Sequence, residues 1–349
     1  MRYELSNRSY RFCVNLMLLF LLYTLFSLNT YAKIVFTSKR EGDATDHIYV
    51  MEDNGSNVRR ITPSAFYDYT PRWFPDGKQI LFVRDHSRGN GHVFNNEFYI
   101  IDATGLNEHR FMFNHPTDKS PVISPNGKKI AFNSNRSGNW DIFTMNLETG
   151  LLKQLTDNDF PRKWSHRMDW SPDGKQIAYQ HDGENDNTWN VWIMDADGKR
   201  KKLFSPNPDR GTILRRGPPA WSPSGKYIMY DDHIFNQDAN RALQPITSQL
   251  IIHSVVTGVR EVHNFPKVSQ IAMGCWMGDD RKVLLCIKAD GTDPESDYEI
   301  YQYDLISRKL TNLTNHPKGD YEPHWIEGSL SVTPMGKLTT QWAQLKQAY

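Results

Sequence analysis

The sequence predicts an all-β protein, a six-bladed β-propeller of four-stranded antiparallel blades whose ring is closed by pairing of the N- and C-terminal segments. The main observation is a phrase that joins a large apolar residue to a Pro-Asp-Gly-Lys turn and an apolar strand. Its copies start at Trp73, Ile123, Trp170 and Trp221, with two degenerate copies at Trp276 and Trp325. The steps between copies are 50, 47, 51, 55 and 49 residues. A period of this size is typical of propellers and solenoids.

The copy at Trp170 illustrates the unit. Pro172-Asp173-Gly174 predicts a tight turn, because Pro presets φ, Asp bonds the nearby backbone and Gly accepts positive φ. A second turn is predicted at Ala196-Asp197-Gly198. The β-branched and aromatic runs around these turns predict four strands. The predicted strands cover residues 168–171, 176–180, 190–195 and 201–204.

The other copies repeat this plan. Matching second strands begin near residues 80, 130, 228 and 283, and matching third strands near residues 98, 141, 250 and 300. Between residue 32 and the last dozen residues, no stretch has sustained helical periodicity. Four-stranded sheets with two apolar faces must stack on one another, and radial stacking produces a propeller.

The two ends of the chain predict how the ring closes. Residues 33–37 resemble a second strand with no first strand before it, and residues 47–51 and 58–62 supply strands three and four. The missing first strand is predicted at residues 322–325. Pairing of these two segments removes the exposed edges that would otherwise promote aggregation.

Three regions are expected along the chain. Residues 1–32 predict a secretory signal, with three arginines, an apolar run and Thr30-Tyr31-Ala32 before the cleavage point. The alternative is an uncleaved membrane anchor. Residues 33–328 form the predicted propeller. Residues 329–349 form a tail with a possible short helix, interpreted as a cap on the propeller or as a docking segment.

Composition restricts the partners. The formal charge is +1, and without the first 32 residues it is about −1. Nucleic-acid binding is not expected, because it needs a basic patch. Membrane contact is expected only through the signal segment if it is uncleaved, and the protein is expected to be a monomer. Cys275 and Cys286 are interpreted as two buried free thiols, with a cross-strand disulfide as the alternative.

The phrase Trp170-Ser-Pro-Asp-Gly-Lys-Gln-Ile-Ala-Tyr179, followed by Val191-Trp-Ile-Met-Asp-Ala-Asp-Gly198, resembles the repeat of TolB-type β-propellers. The resemblance covers nearly all of the chain after residue 32. It implies a periplasmic or secreted binding scaffold, since TolB proteins work with the Tol–Pal envelope system. TolB proteins carry an α/β domain before the propeller, whereas here the propeller is predicted to begin at the cleavage point. Similar propellers gate serine peptidases or form polysaccharide lyases.

Topology indicates which face binds. The strand 1–2 and strand 3–4 turns lie on one side and are short and uniform, and we call this side the tight-turn face. The strand 2–3 loops and the inter-blade loops lie on the other side, the loop-rich face; the longest are predicted at residues 84–97 and 231–249. Variable loops on a rigid scaffold usually carry binding. The candidate ligand-binding residues are Tyr67, Asp68, Asp118, His166, Arg167, Arg215, Arg216, Asp320 and Tyr321.

Structural explanations compete with these assignments. The three aspartates are equally interpreted as turn caps that bond backbone amides. Arg215 and Arg216, with Arg210, are expected near the surface, where they could clamp a carboxylate or a sulfate. The tryptophans of the repeated phrase are expected in the core.

Catalytic and metal signatures are scarce. No Gly-x-Ser-x-Gly, His-Glu-x-x-His or Cys-x-x-Cys motif occurs. Residues 182–187 alternate acidic residues like a calcium loop but lack its glycine and its distal glutamate. No cofactor and no metal are therefore expected.

The predicted function is a non-catalytic scaffold that binds a protein or carbohydrate partner on the loop-rich face. The alternative is a propeller-type polysaccharide lyase or hydrolase that uses histidine and arginine at the channel mouth. Convergence of His166, His233 and Arg215 on one pocket would favour the alternative. His324 is a further candidate if three histidines converge on a metal.

Overall fold

The computed structural model describes residues 33–40, 45–87, 95–111, 118–157, 165–182, 188–206, 213–237, 243–265, 270–288 and 297–327. Every regular element in these ranges is a β-strand. None of the described segments forms a helix that could cross a bilayer. The predicted signal segment, the tail helix and the loop at residues 183–187 lie outside the described residues.

The structure contains 25 strands in the described ranges. In chain order they are β1 (Ile34–Ser38), β2 (His47–Met51), β3 (Arg59–Arg60), β4 (Tyr67–Trp73), β5 (Gln79–Asp85), β6 (Asn96–Asp102), β7 (His109–Arg110), β8 (Lys119–Ile123), β9 (Lys129–Ser134), β10 (Asp141–Asn146), β11 (Leu152–Gln154), β12 (Ser165–Trp170), β13 (Gln176–Asp182), β14 (Trp189–Asp195), β15 (Lys202–Leu203), β16 (Ile213–Arg216), β17 (Ala220–Trp221), β18 (Tyr227–Gln237), β19 (Leu243–Ser254), β20 (Arg260–Asn264), β21 (Gln270–Met277), β22 (Lys282–Lys288), β23 (Tyr298–Asp304), β24 (Leu310–Asn312) and β25 (Asp320–Trp325).

These strands form antiparallel four-stranded meanders. Four sheets have the orders β25-β1-β2-β3, β4-β5-β6-β7, β8-β9-β10-β11 and β21-β22-β23-β24. A nine-stranded sheet contains two more meanders, β12 to β15 and β16 to β20, joined by a single parallel bridge between Trp189 and Arg215. In the second of these the first strand is interrupted, and its two parts, β16 and β17, both pair with β18. The predicted repeat unit is therefore present in each sheet.

The first sheet is built from both ends of the chain. Strand β25 pairs with β1, with Ile34 opposite Trp325 and Ser38 opposite Asp320. The same strand β1 pairs on its other side with β2. All five residues of β1 are buried. A short apolar strand of this kind needs a neighbour on each side to satisfy its backbone groups.

The repeated turns adopt the predicted conformation. Gly77, Gly127, Gly174 and Gly225 have φ between 67° and 73°, where a side chain would be strained. In each of these turns the glycine amide donates to the carbonyl oxygen three residues earlier, at 2.8–2.9 Å. The Pro-Asp-Gly-Lys phrase, with Asn126 or Ser224 in place of Asp in two copies, thus reverses the chain between the first and second strands of these four meanders.

The core lies between neighbouring sheets rather than within one. One cluster joins β1 and β2 to β5 through Val35, Ile48 and Phe82, with Trp73 among them. Another joins β1 and β2 to β22 and β23 through Phe36, Leu284 and Ile300. Trp73, Trp170, Trp221 and Trp276 are between 3% and 7% exposed. The repeated tryptophans therefore pack between adjacent meanders, as predicted.

One predicted loop is wrong. Residues 231–249 do not form a long loop, because β18 and β19 continue through them as a paired hairpin from Tyr227–Ser254 to Gln237–Leu243. Asp231 to Ile234 extend the hydrogen-bonded ladder beyond the length of the other second strands. The hairpin therefore extends the sheet, by continued strand pairing, on the loop-rich face.

Candidate functional site

Three candidate aspartates are buried in ion pairs. Asp68, Asp118 and Asp320 each stand at the start of a first strand, and each side chain is fully buried. Each carboxylate pairs with an arginine of its own meander. The pairs are Arg84 Nε with Asp68 Oδ1 at 2.6 Å, Arg136 Nη2 with Asp118 Oδ2 at 2.5 Å, and Arg40 Nη2 with Asp320 Oδ2 at 2.6 Å.

Asp68 has the fullest set of partners. Burial opposes its ionisation, but the nearby His47, 4.0 Å away, and the hydrogen bonds from Arg84 outweigh this effect and lower the pKa of Asp68. The hydroxyl of Ser64 donates to its other oxygen at 2.8 Å. A carboxylate that is buried, ionised and surrounded by donors stabilises the meander and has no free oxygen for a ligand.

Arg216 belongs to the same pattern with the charges exchanged. It occupies the position of Asp68 in its meander, five residues before the repeated tryptophan, and its Nε lies 3.2 Å from Asp232 Oδ1. Its guanidinium also donates to Asn190 Oδ1 and, at 2.8 Å, to the Pro206 carbonyl. Arg216 is 1% exposed. The expectation that it lies near the surface was therefore wrong.

Arg215 points the other way, because neighbouring strand residues alternate between faces. Its guanidinium carbon lies 5.1 Å from the centroid of the Trp189 ring and 5.6 Å from that of Phe235. The side chain is half-buried, and its Nε has no hydrogen-bond partner among the described residues. Two aromatic rings thus flank a guanidinium whose Nε is not bonded by any described residue.

His233 faces Arg215 across the β16–β18 ladder. Its Nε2 lies 2.5 Å from Asp231 Oδ2. Burial opposes protonation, but the charge and the hydrogen bond of Asp231 outweigh it and raise the pKa of His233. The imidazole of His233 is therefore paired with the Asp231 carboxylate.

The other candidates are dispersed. The hydroxyl of Tyr321 donates to Asp297 Oδ1, and burial together with this carboxylate raises its pKa. Tyr67 is half-buried at the start of β4. In β12, His166 lies opposite Gln180 of β13. The side chain of His166 and all atoms of Arg210 lie outside the described residues. No group of three potential metal ligands occurs in the described ranges.

The first strands surround a cavity of about 260 Å³. Its wall includes the residues three places before the repeated aromatic position, Thr70, Ser120, Arg167, Pro218, Met273 and Glu322. Four of these, Thr70, Ser120, Met273 and Glu322, have positive φ and lie at β-bulges or irregularities of their strands. Bulges redirect side chains, and here they occur at the level where the strands line the cavity.

Glu322 connects several strands at this level. Its Oε2 accepts a hydrogen bond from the Thr70 amide at 2.6 Å, and its Oε1 lies 3.1 Å from Arg167 Nη1. Arg167 also contacts the sulfur of Met273. Among the nine candidates, Arg167 is therefore the one on the cavity wall, and it is already paired there.

A second layer lies one residue before the repeated aromatic position and was not predicted. Arg72, Val122, Asp169 and His324 line both this cavity and a neighbouring one of about 200 Å³. Asp169 Oδ2 accepts from the Trp221 amide at 2.8 Å, and His324 Nδ1 accepts from the Trp73 amide at 3.1 Å. These side chains therefore bridge from one meander to the next.

Burial controls the charges in this layer. It raises the pKa of Asp169 to about 6 and lowers that of His324 to about 3. It also lowers the pKa of Arg72, whose guanidinium donates to the Pro71 carbonyl at 2.8 Å. The offset of one residue from the repeated tryptophan is the sequence signal that identifies this layer.

Comparisons with known proteins agree with this fold. Residues 90–249 match the family model described as the TolB beta propeller domain. An uncharacterized protein of Agrobacterium fabrum, Atu1656, is 28% identical over 192 residues, which are 52% of this chain and 60% of that protein. The Tol-Pal system protein TolB of Francisella tularensis is 31% identical over 114 residues, which are 32% of this chain and 25% of that protein.

The chain thus spans between a quarter and three fifths of the length of these curated relatives. Among solved structures, TolB from Acinetobacter baumannii superposes with a TM-score of 0.64 at 16% identity, covering 84% of this chain and 67% of that one. This likeness concerns the fold alone. Residues 90–249, a little under half of the chain, thus match the TolB beta propeller domain, and the meanders on both sides of them share its fold.

Proposed function

We propose that the chain is a periplasmic or secreted scaffold without catalysis of its own, built as a closed ring of six blades, that binds a protein partner on its loop-rich face. The ring is supported by the β1–β25 pairing and by the core cluster between β1, β2, β22 and β23. Export is supported by the arginines and the apolar run within residues 1–32.

The observation that carries the binding role is Arg215. Asp68, Asp118, Asp320 and Arg216 at the starts of the first strands are neutralised in buried pairs, whereas Arg215 is half-buried and lies between the rings of Trp189 and Phe235 with no ion pair among the described residues. Stacking fixes the plane of the guanidinium, so its fork can meet a carboxylate with little further loss of side-chain entropy. The favoured partner is therefore a protein that presents an acidic segment.

The name of the Francisella relative, a Tol-Pal system protein, supports a protein partner over a glycan. The ladder of β18 and β19 supports the location, because it gives Phe235 a rigid base beside Arg215. Sites on regular elements hold side chains more accurately than sites on loops.

The test is photo-crosslinking in living cells of the producing organism. A crosslinking residue replaces Phe235 in one variant and Lys199, at an exposed turn of the tight-turn face, in the other. We expect a discrete crosslinked protein from position 235 and none from position 199. We also expect Arg215→Ala to weaken capture about tenfold or more, while Arg200→Ala leaves it unchanged. Crosslinks only from position 199 contradict the proposal.

Arg215 and His233 also support the second candidate, a polysaccharide lyase or hydrolase, because they face each other on β16 and β18. His233 is paired with Asp231, however, and neither Arg215 nor His233 lines either cavity. Incubation with uronate-containing polysaccharides distinguishes the two candidates. Formation of unsaturated or shortened products that is lost in His233→Ala replaces the scaffold proposal with an enzyme, and intact polysaccharide supports the scaffold.

A further inference from the structure

The exposed aliphatic side chains of the described residues share one place in the fold. All of them lie on the outermost strand of a meander or in the turn that precedes it. Five of them occupy the turns and are strongly exposed. These are Leu106 at 65%, Leu151 at 72%, Val256 at 81%, Val259 at 65% and Ile306 at 76%. We call these five residues the aliphatic tips. Single exposed aliphatics are ordinary, but their repetition at one topological position in four meanders is not.

Backbone hydrogen bonds place the aliphatic tips on the tight-turn face. The first residue after the third strand donates to the carbonyl of the basic residue that closes the first turn, so the two turns lie side by side. The bonds are Ala103 to Lys78, Leu147 to Lys128, and Val255 to Lys226 at 2.8 Å, and Leu305 to Arg281 at 2.9 Å. The tips therefore project from the same side of the molecule, at the outer end of each meander.

This arrangement suits a broad, flat and deformable partner. The tips stand on four separate meanders, so they do not join into one groove for a single peptide. A lipid surface can meet all of them at once, and each aliphatic side chain favours the acyl boundary. Charges next to the tips are largely paired, as in Lys128 with Glu148 at 3.5 Å and Arg281 with Asp304 at 2.7 Å. The attraction is therefore apolar more than electrostatic.

The path of the N-terminal chain supports the same orientation. The Lys33 amide donates to the Met51 carbonyl at 3.1 Å, and Lys33 Nζ lies 3.0 Å from Asp53. Asp53 belongs to the turn between β2 and β3, which corresponds to the turns that carry the tips. The apolar run at residues 16–28 thus precedes a residue on the tight-turn face.

We propose that the tight-turn face is a membrane-contacting surface, on which the aliphatic tips insert into the lipid headgroup and acyl boundary while the loop-rich face points away. The ligand class is a phospholipid bilayer. This inference is independent of the partner proposed for Arg215.

The first test is flotation of the full chain, as processed by its host, with vesicles of phosphatidylethanolamine and phosphatidylglycerol or of phosphatidylcholine alone. The triple variant Leu106→Ser, Leu151→Ser, Ile306→Ser removes one tip from each of three meanders. The matched control Leu152→Ser with Val262→Ser changes the less exposed aliphatics of the outer strands. We expect the triple variant to bind both vesicle types at least about tenfold more weakly, and the control to change binding by less than about twofold. Equal binding of the triple variant, or no binding of the unaltered chain, overturns the proposal.

A second test applies if the host product keeps residues 1–32, which would anchor every variant. Spin labels are attached at Leu151→Cys, Ile306→Cys and, on the opposite face, Ser137→Cys. We expect labels 151 and 306 to collide with lipid-dissolved oxygen when vesicles are present, and label 137 to collide only with a water-soluble relaxant. Labels 151 and 306 that stay fully accessible to the water-soluble relaxant overturn the proposal. The same holds if they are protected equally without vesicles, which would indicate a protein partner.

Discussion

Replacing Arg216 by alanine tests whether the buried charges at the strand starts stabilise the fold. The change removes the ion pair with Asp232 at 3.2 Å and the donors to Asn190 and to the Pro206 carbonyl. Asp232 keeps a second partner, because Arg260 Nη2 lies 2.8 Å from its other oxygen. The loss therefore leaves Asn190 Oδ1 and the Pro206 carbonyl without this donor, and it leaves Asp232 with one arginine partner in place of two.

The magnitude follows from these contacts. Removing one partner of a buried ion pair typically costs about 3–5 kcal/mol. The remaining contact with Arg260 favours the lower end, about 3 kcal/mol. For a domain of this size, with an unfolding entropy of about 2.1 cal/mol/K per residue, that loss lowers the melting temperature by roughly 5 °C. Arg215→Ala, one residue away and half-buried, loses only its stacking on two rings, about 1 kcal/mol.

The assay is denaturant unfolding of both variants beside the unaltered protein, followed by tryptophan fluorescence. A third variant exchanges the charges, Arg216→Asp with Asp232→Arg, and reproduces the order found in Asp68 and Arg84. We expect the exchanged pair to recover part of the stability that Arg216→Asp alone loses. Equal midpoints for Arg216→Ala and Arg215→Ala, or no recovery on exchange, would refute the structural role of the pair.

Three further outcomes are expected. Trp170→Ala should cost about 3–5 kcal/mol, since the ring packs between meanders, and an unchanged urea midpoint would contradict this. Burial lowers the pKa of His253 to about 4 and of His324 to about 3, below the unfolded value of 6.5, so the stability these rings contribute is complete above pH 6.5 and falls as the pH drops towards 4. His253→Gln should make the pH dependence of the midpoint shallower, and an unchanged slope would argue against it. Cys275 and Cys286 are free, and burial raises the pKa of both thiols, so a thiol reagent should label these two residues only after unfolding. Labelling of either residue in the native protein, located by peptide mass spectrometry, would show that it is accessible.

The strands and turns of this fold were readable from the sequence because their determinants are local. Gly174 needs positive φ, and Pro172 and Asp173 favour the same turn, so three neighbouring residues agree on one conformation. The strand at Ile177 and Ala178 is bounded by this turn. Repetition of the phrase then assigned the same structure to weaker copies, such as the one at Trp276.

The roles of individual charges were not readable, because they depend on contacts across the sheet. Arg215 and Arg216 are adjacent and chemically identical, and only the pairing of β16 with β18 shows which one is buried. Asp232 was assigned to a loop, so no buried partner for Arg216 could be expected. Bulges before the repeated aromatic position alter the alternation of side chains between the two faces of a strand. A simple two-residue period therefore does not predict that Arg72 and Asp169 line the cavities.

The pairing of β25 with β1 has a consequence for the timing of assembly. Thr37 and Glu322 touch in the finished protein but are 285 positions apart in the chain. The earliest strand to be synthesised therefore waits, with one edge unpaired, until nearly all other strands have been made. An incomplete chain has little to gain from compacting around that strand, and contacts between distant segments form slowly. Such a chain gains the full cooperativity of its fold only when β25 has joined β1.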